Sequence, residues 1–420
     1  MSTSPASIGR RVALAVVAAV VACAGMLVVL APPERCPAVT VDSLRSSASQ
    51  TVEWFVRNQH DDGTWLYLYN ADTATVTPDY NVIRHAGAVM ALYQAAVAGI
   101  PGALASADRG LGWAQDRIIE RDGWAAVSYH GETPVGASAL LLAGLVDRRD
   151  AAGDQQYDVL MQQLGRFLVA QIERSGAVLA YYGTATGKPV PDEYSKYYTG
   201  EAYWALTRLH RVFPHGGWSK VAGRVGAYLA SQRDEIEGYW PPIADHWAAY
   251  GLAETTAFDD RDAERPLVPN EVAYARRQAQ LFGGQVLWVS QRFGPWGELV
   301  RGPPVPRGGG YGVIGEALTG LWLVAKAEPR LADLRAPIAE RAVCIAGLAV
   351  RAQADADDAR TQAEPGRVEG AWFRDGETRM DDQQHALAAL LRTVPIVEAA
   401  DDGDEPTRSL SAWLWLVILV

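Results

Sequence analysis

The sequence predicts an all-α protein: an (α/α)6 toroid of six helical hairpins behind an N-terminal transmembrane anchor. Three observations carry this prediction. A Gln near the end of an apolar helix, followed by a Gly and often a Trp, recurs at Gln59, Gln115, Gln171, Gln232, Gln291 and Gln353, at spacings of 56 to 62 residues. Each such turn leads into a second run with apolar and small residues at helical spacing. Residues 12–31, VALAVVAAVVACAGMLVVLA, are an apolar run of about 20 residues, the length a helix needs to span a bilayer.

The anchor comes first in the chain. Arg10 and Arg11 precede the run and stay on the cytoplasmic side, which places the rest of the chain outside the cytoplasm. A cleaved signal peptide is the rival reading, but the run is long and lacks a clear small-x-small exit. The stretch ending at Cys23 resembles a lipoprotein cleavage site, yet apolar AGMLVVL follows it. Residues 1–40 thus read as cytoplasmic stub, anchor and stalk, 41–398 as the toroid, and 399–420 as an acidic linker and apolar tail. The tail, LSAWLWLVILV, is too short to span a bilayer unaided. An oxidising compartment would permit a disulfide between Cys36 and Cys344, although sequence does not show that they meet. No Cys-x-x-Cys pair points to zinc.

The hairpins follow in order. The turns carry Gly63 and Trp65, Gly123 and Trp124, Gly176 alone, Gly238 and Trp240, Gly294 and Trp296, then Gly370 and Trp372. The second helices are expected over 81–98, 135–147, 195–211, 244–255, 313–326 and 380–392. Five of them open on a polar or small residue before Ala, as in His85-Ala86, Ser138-Ala139, Glu201-Ala202, Glu316-Ala317 and His385-Ala386; the fourth reads His246-Trp247-Ala248. One hairpin cannot bury both faces. Six closing in a ring can, with the more apolar second helices inside. The Gln is then a link clamp that bonds backbone groups left free at a helix end. The Trp packs over the next hairpin and the Gly permits a tight turn.

The net charge of −11 excludes a nucleic-acid binder, which needs a basic face. The chain has 17 Tyr and 14 Trp but 7 Phe, a bias toward aromatics with a polar handle that suits a wet cleft stacking on sugars. Inner helices in such a ring open their N-termini at one mouth. The expected catalytic set there is Glu201, Glu316, Asp382, His246 and His385. The expected substrate-binding set is Arg84, His85, Tyr197, Tyr198, Asp245, Trp247, Tyr311 and Asp381. Capping is the competing role for Asp245, Asp381 and Asp382. Glu201 and Glu316 sit two helices apart, and inward side chains would leave a gap of roughly 5–9 Å, the range of paired carboxylates in glycoside hydrolysis. His85 and His385, with Asp381 or Asp382, could together hold one ion. No metal and no cofactor is expected.

The segment QHDDGTW resembles the Q-x-x-D-G-x-W repeats of terpenoid-cyclase and prenyltransferase toroids, where the motif is a structural tie. RMDDQQH departs from the Asp-x-Asp-Asp acid of the protonating cyclases, with Arg379 where the first Asp would stand. Toroids of six hairpins also resemble carbohydrate-active families: six-hairpin glycosidases, uronate lyases and sugar epimerases. The resemblance implies a polysaccharide or glycoconjugate partner. The expected function is a membrane-anchored, extracytoplasmic glycoside hydrolase, or failing that a uronate lyase or epimerase, at the cell membrane. Alternatives are a terpenoid-cyclase-like toroid acting on isoprenoids or lipids, and a non-catalytic toroid binding glycan or protein.

Overall fold

The computed structural model describes residues 5–30, 34–258, 266–302 and 306–403. Six outer helices run over Val41–Arg57, Ala103–Gln115, Asp158–Ala170, Trp218–Ser231, Pro269–Ser290 and Ala332–Ala352. Six inner helices run over Val82–Val97, Val135–Ala152, Tyr198–Val212, His246–Thr255, Gly308–Ala327 and Met380–Asp401. Each inner helix packs on the next, and the sixth packs back on the first, which closes the ring. The outer helix lies on the inner helix of the hairpin before it in every hairpin but the fifth, where Pro269–Ser290 lies more on its own inner helix.

Burial explains which helix goes where. The second inner helix is buried on all sides from Val135 to Arg148, so it belongs inside the ring. The first outer helix buries one stripe, including Leu44, Ala48, Val52 and Phe55, and leaves the rest to solvent. The sixth inner helix continues to Asp401, into the stretch expected as a linker. The apolar tail lies outside the described residues.

The links from outer to inner helix are long and gather at one mouth. They carry short antiparallel pairings that the all-helical expectation did not include. Leu68–Asn70 pairs with both Thr75–Val76 and Glu377–Arg379, stitching the first link to the sixth. Ile118–Arg121 pairs with Trp124–Val127, and Tyr182–Gly183 with Lys188–Pro189. At the opposite end Arg208 makes two bonds of 2.8 and 2.7 Å to the Asp147 carboxylate, joining the second and third inner helices.

The expected clamp is present in the first and sixth hairpins. Gln59 Nε2 donates to Gly63 O at 3.2 Å and to Ser106 O, on the next outer helix, at 2.9 Å. Gln353 Nε2 repeats this with Gly370 O at 2.9 Å and Ser47 O at 3.1 Å. Gly63 is at φ 91°, and a Cβ there would lie 2.3 Å from Arg109 O, so no larger residue fits. The second, third and fourth hairpins lack it among the described residues. Gln115 and Gln232 are exposed, as is Trp240 at 90%. Gln171 is one residue out of register, because Ile172 and Val178 form the bridge that Gln59 and Trp65 form in the first copy.

The N-terminal apolar run is helical over Pro5–Leu30, and Val12, Leu14, Val16, Val17, Val20, Val21 and Met26 are exposed on it. The side chains of residues 5–8, 11, 24 and 27–30 are outside the description, and among the described residues no helix is long and apolar enough to cross a membrane. The segment that follows, from residue 34, docks on the ring. Cys36 and Cys344 form a disulfide, Glu34 pairs with Arg341 and accepts from Ser290 Oγ at 2.8 Å, and Arg35 N donates to Ser290 O.

Candidate active site

The inner helices open into a cavity of about 570 Å³ at the mouth. Its floor is formed by His246 and His385, from the fourth and sixth inner helices, backed by Glu316 of the fifth. His385 Nδ1 lies 2.6 Å from Glu316 Oε2, and His246 Nε2 lies 3.8 Å from the same oxygen. The two imidazole rings are 5.2 Å apart and nearly perpendicular. Both histidines line the cavity, whereas Glu316 is fully buried behind them. A Cβ on Gly312 would lie 2.2 Å from the His385 backbone carbon, so only glycine lets the fifth inner helix bring Glu316 this close.

The two rings have their pKa values shifted in opposite directions. Burial, with the charge of His385 adding to it, pushes His246 well below the ordinary imidazole range. Burial would lower His385 as well. The charge and hydrogen bond of Glu316 override it, Asp381 and Asp382 contribute, and the His385 pKa is raised. The shifts run in opposite directions, His246 toward the neutral imidazole and His385 toward the imidazolium, the arrangement of a base and an acid. With its Nδ1–H donated to Glu316, His385 keeps Nε2 for a substrate. Neither ring nitrogen of His246 has a hydrogen-bond partner among the described residues. The ligand atoms of His246, Glu316 and His385 all lie within 4.8 Å of one another, so these three could also hold a metal ion.

Glu201 forms another part of the wall. It is buried, its Oε2 has no partner among the described residues, and burial together with the Asp245 charge pushes its pKa up to about 8. Arg84, Arg307, Arg374 and Arg379 ring the opening. Asp381 holds Arg84 and Arg379 at 3.2 Å each.

No protein-family model matches the chain, and no curated protein matches it in sequence. Solved structures do match over most of its length. A D-mannose isomerase superposes with a TM-score of 0.58 at 11% identity, covering 84% of this chain and 97% of that one. A cellobiose 2-epimerase from Spirochaeta thermophila gives 0.57 at 14% identity, covering 86% and 98%. An unsaturated glucuronyl hydrolase specific for heparin gives 0.59 at 14% identity, covering 86% and 99%. The fold is the six-hairpin toroid.

Within this toroid the expected site residues separate into three groups. His246, His385, Glu201, Trp247, Tyr197, Arg84, Asp381 and Asp382 line the one cavity. Asp382 is there chiefly as a tie: its Oδ1 accepts from Gly309 N at 2.9 Å and its Oδ2 from Arg379 N at 3.1 Å, and burial beside Asp381 raises its pKa to about 6. Glu316, Asp245, Tyr198 and Tyr311 are buried away from the cavity surface. Asp245 is spent on capping Ala248 N at 3.0 Å and on an ion pair with the buried Arg233, which fixes the start of the helix carrying His246.

His85 is not at the cavity at all. Its Nδ1 meets the Tyr80 hydroxyl at 2.7 Å, its Nε2 meets Gly110 O at 2.8 Å, and its ring packs on Trp113. An ion held between His85 and His385, a possibility the sequence left open, therefore has no place. The paired carboxylates also change meaning, because Glu316 serves His385 and does not face Glu201 across the opening. Sequence reasoning missed Arg307, Arg374 and Gln285. Of these, Arg307 adjoins the Gly308–Gly310 run, so proximity to a marked segment was the available signal.

Proposed function

We propose that the toroid is a sugar isomerase or epimerase that moves a proton beside a carbonyl carbon, with His246 as base and His385 as acid. The observation that carries this is the shared Glu316 carboxylate, 2.6 Å from one imidazole and 3.8 Å from the other. His246 takes the proton from the carbon, and the C–H electrons form the C=C bond of an enediol. His385 gives its Nε2 proton to the carbonyl oxygen as that charge develops. Returning a proton to the neighbouring carbon gives the isomer, and returning it to the opposite face gives the epimer. The arginine-ringed, polar cavity suits a hydroxylated substrate better than an isoprenoid, and it is too open to be a plugged binding module. The printed activities of the structural neighbours, a mannose isomerase and a cellobiose epimerase among them, support a carbohydrate substrate.

The test is proton exchange. Aldoses, ketoses and their disaccharides are incubated with the protein in D2O and followed by NMR. Deuterium entering the carbon next to the carbonyl supports the proposal; its absence across the panel defeats it. Glycoside hydrolysis is the second reading, favoured by Glu201, which stays protonated at neutral pH and faces the cavity. Release of new reducing ends without exchange would select it.

We propose further that this enzyme lies outside the cytoplasm on an N-terminal anchor. The arginine-flanked apolar run, the exposed apolar side chains of its helix, and a disulfide suited to an oxidising compartment support that placement. Membrane fractionation with protease added from outside tests it. Recovery of the full chain in the soluble fraction would refute the anchor.

A further inference from the structure

We propose that a second hollow beside the catalytic cavity binds a further sugar unit, so that the substrate is the end of an oligosaccharide and not a free monosaccharide. This rests on reading the cavity as a carbohydrate site. The hollow measures about 310 Å³ and lies where the first link meets the second hairpin. Four aromatic rings wall it in series: Tyr67 to Tyr80 at 5.8 Å, Tyr80 to Trp113 at 5.3 Å, and Trp113 to Tyr129 at 5.4 Å. Arg117 stands 3.7 Å over the Trp113 ring and is anchored by a 2.7 Å bond from Nη1 to Trp113 O. It makes no ion pair with a carboxylate among the described residues, so its remaining donors are available. Asp62 supplies an acceptor: burial would raise its pKa, but its bonds from Thr64 and the nearby His60 and Arg117 charges lower it.

This combination fits a pyranose. Ring C–H faces pack on aromatic surfaces, while hydroxyls need an anion and a fork of N–H donors at fixed positions. Core packing alone does not explain it, because Tyr67, Tyr129 and Arg117 are only half-buried. The two hollows share a wall. Arg84 lines the catalytic cavity, Tyr67 lines the second hollow, and Arg84 Nη1 donates to the Tyr67 hydroxyl. A chain whose reacting sugar sits over His246 and His385 would carry its next residue past this pair.

Binding is measured by calorimetry on the full-length His385→Asn variant, so turnover plays no part. The probes are glucose, mannose, cellobiose, cellotriose and α-1,6-mannotriose. The inference expects at least one oligosaccharide to bind tenfold or more tighter than its monosaccharide. Arg117→Met or Tyr129→Ala should erase that gain and leave monosaccharide affinity as it was. If monosaccharides bind and no oligosaccharide binds tighter, or if the two variants leave the gain intact, the second subsite is overturned while the catalytic reading stands. If no probe binds, both fall.

Discussion

The first and sixth hairpins are neighbours across the seam of the ring, and each begins its inner helix with a His-Ala pair. Their clamps share the same two backbone bonds, Gln59 onto Gly63 O and Ser106 O and Gln353 onto Gly370 O and Ser47 O. Their histidines have opposite fates. His85 donates to Gly110 O, accepts from Tyr80, and burial lowers its pKa to about 4, so it is locked as a neutral core residue. His385 meets Glu316 and the cavity, and its pKa rises. A repeat reproduces backbone geometry, but chemistry depends on what the adjacent copy supplies. Copy five supplies a carboxylate to His385. The Tyr80 of its own hairpin and a carbonyl from copy two close around His85.

The sharpest way to break this comparison is to remove each ring in turn. His246→Asn or His385→Asn should lower turnover by about 10² to 10⁴, the usual contribution of a positioned acid or base, with melting temperature nearly unchanged. His85→Asn should do the reverse. Turnover per folded molecule stays within a few-fold, while unfolding titrations show a loss of about 1–3 kcal/mol from the unsatisfied Tyr80 hydroxyl and Gly110 carbonyl. Equal loss of turnover in all three variants would erase the distinction.

Glu316→Gln asks whether the carboxylate makes the difference. A hydrogen bond to a charged group is worth about 1.5–3 kcal/mol, so turnover should drop about 10- to 100-fold. The pH profile gives the sign. Activity needs protonated His385 and falls as pH rises through its pKa, which Glu316 raises. The Gln variant should therefore lose activity at lower pH than the wild type. An unchanged alkaline limb would show that Glu316 only packs.

Glu201→Gln sharpens the contrast between the cavity wall and its floor. Glu201 titrates near 4.5 when unfolded and about 8 when folded, because burial and Asp245 oppose its charge. Between these values the folded chain holds a proton that the unfolded chain has lost. Stability from this group is complete below about pH 4.5 and declines as pH rises toward 8. The Gln variant should lack that decline in urea titrations run at pH 5 and pH 8. Retention of the slope would place its origin elsewhere.

The ring was legible in sequence because its inner helices must be apolar all round, as residues 135–147 are, and because Gln and Gly mark the turns. The site was less legible for a physical reason. Which first-turn residues meet depends on how closely neighbouring helices approach, and Gly312, which sets that approach beside His385, looks like any helical glycine in sequence. Glu316 and His385 were both marked, but as separate members of a carboxylate pair and a histidine set. Arg374 comes from a loop with no helical period to reveal it. The disulfide was legible only as a possibility, since its partners are 308 residues apart.

The equal spacing of the glutamines also misled, and the smallest predicted effect tests how far. Gln59 and Gln353 each bond two backbone carbonyls in two hairpins, so Gln59→Ala or Gln353→Ala leaves buried acceptors unmet and should lower stability by about 1–3 kcal/mol. Gln115 and Gln232 point into solvent. Their Ala variants should stay within about 0.5 kcal/mol of wild type. Matched denaturant curves for the four variants measure this directly. If all four fall together, the period reports a shared tie that the exposed positions conceal; if the first pair falls alone, it reports helix length, repeated because each hairpin must cross the same ring.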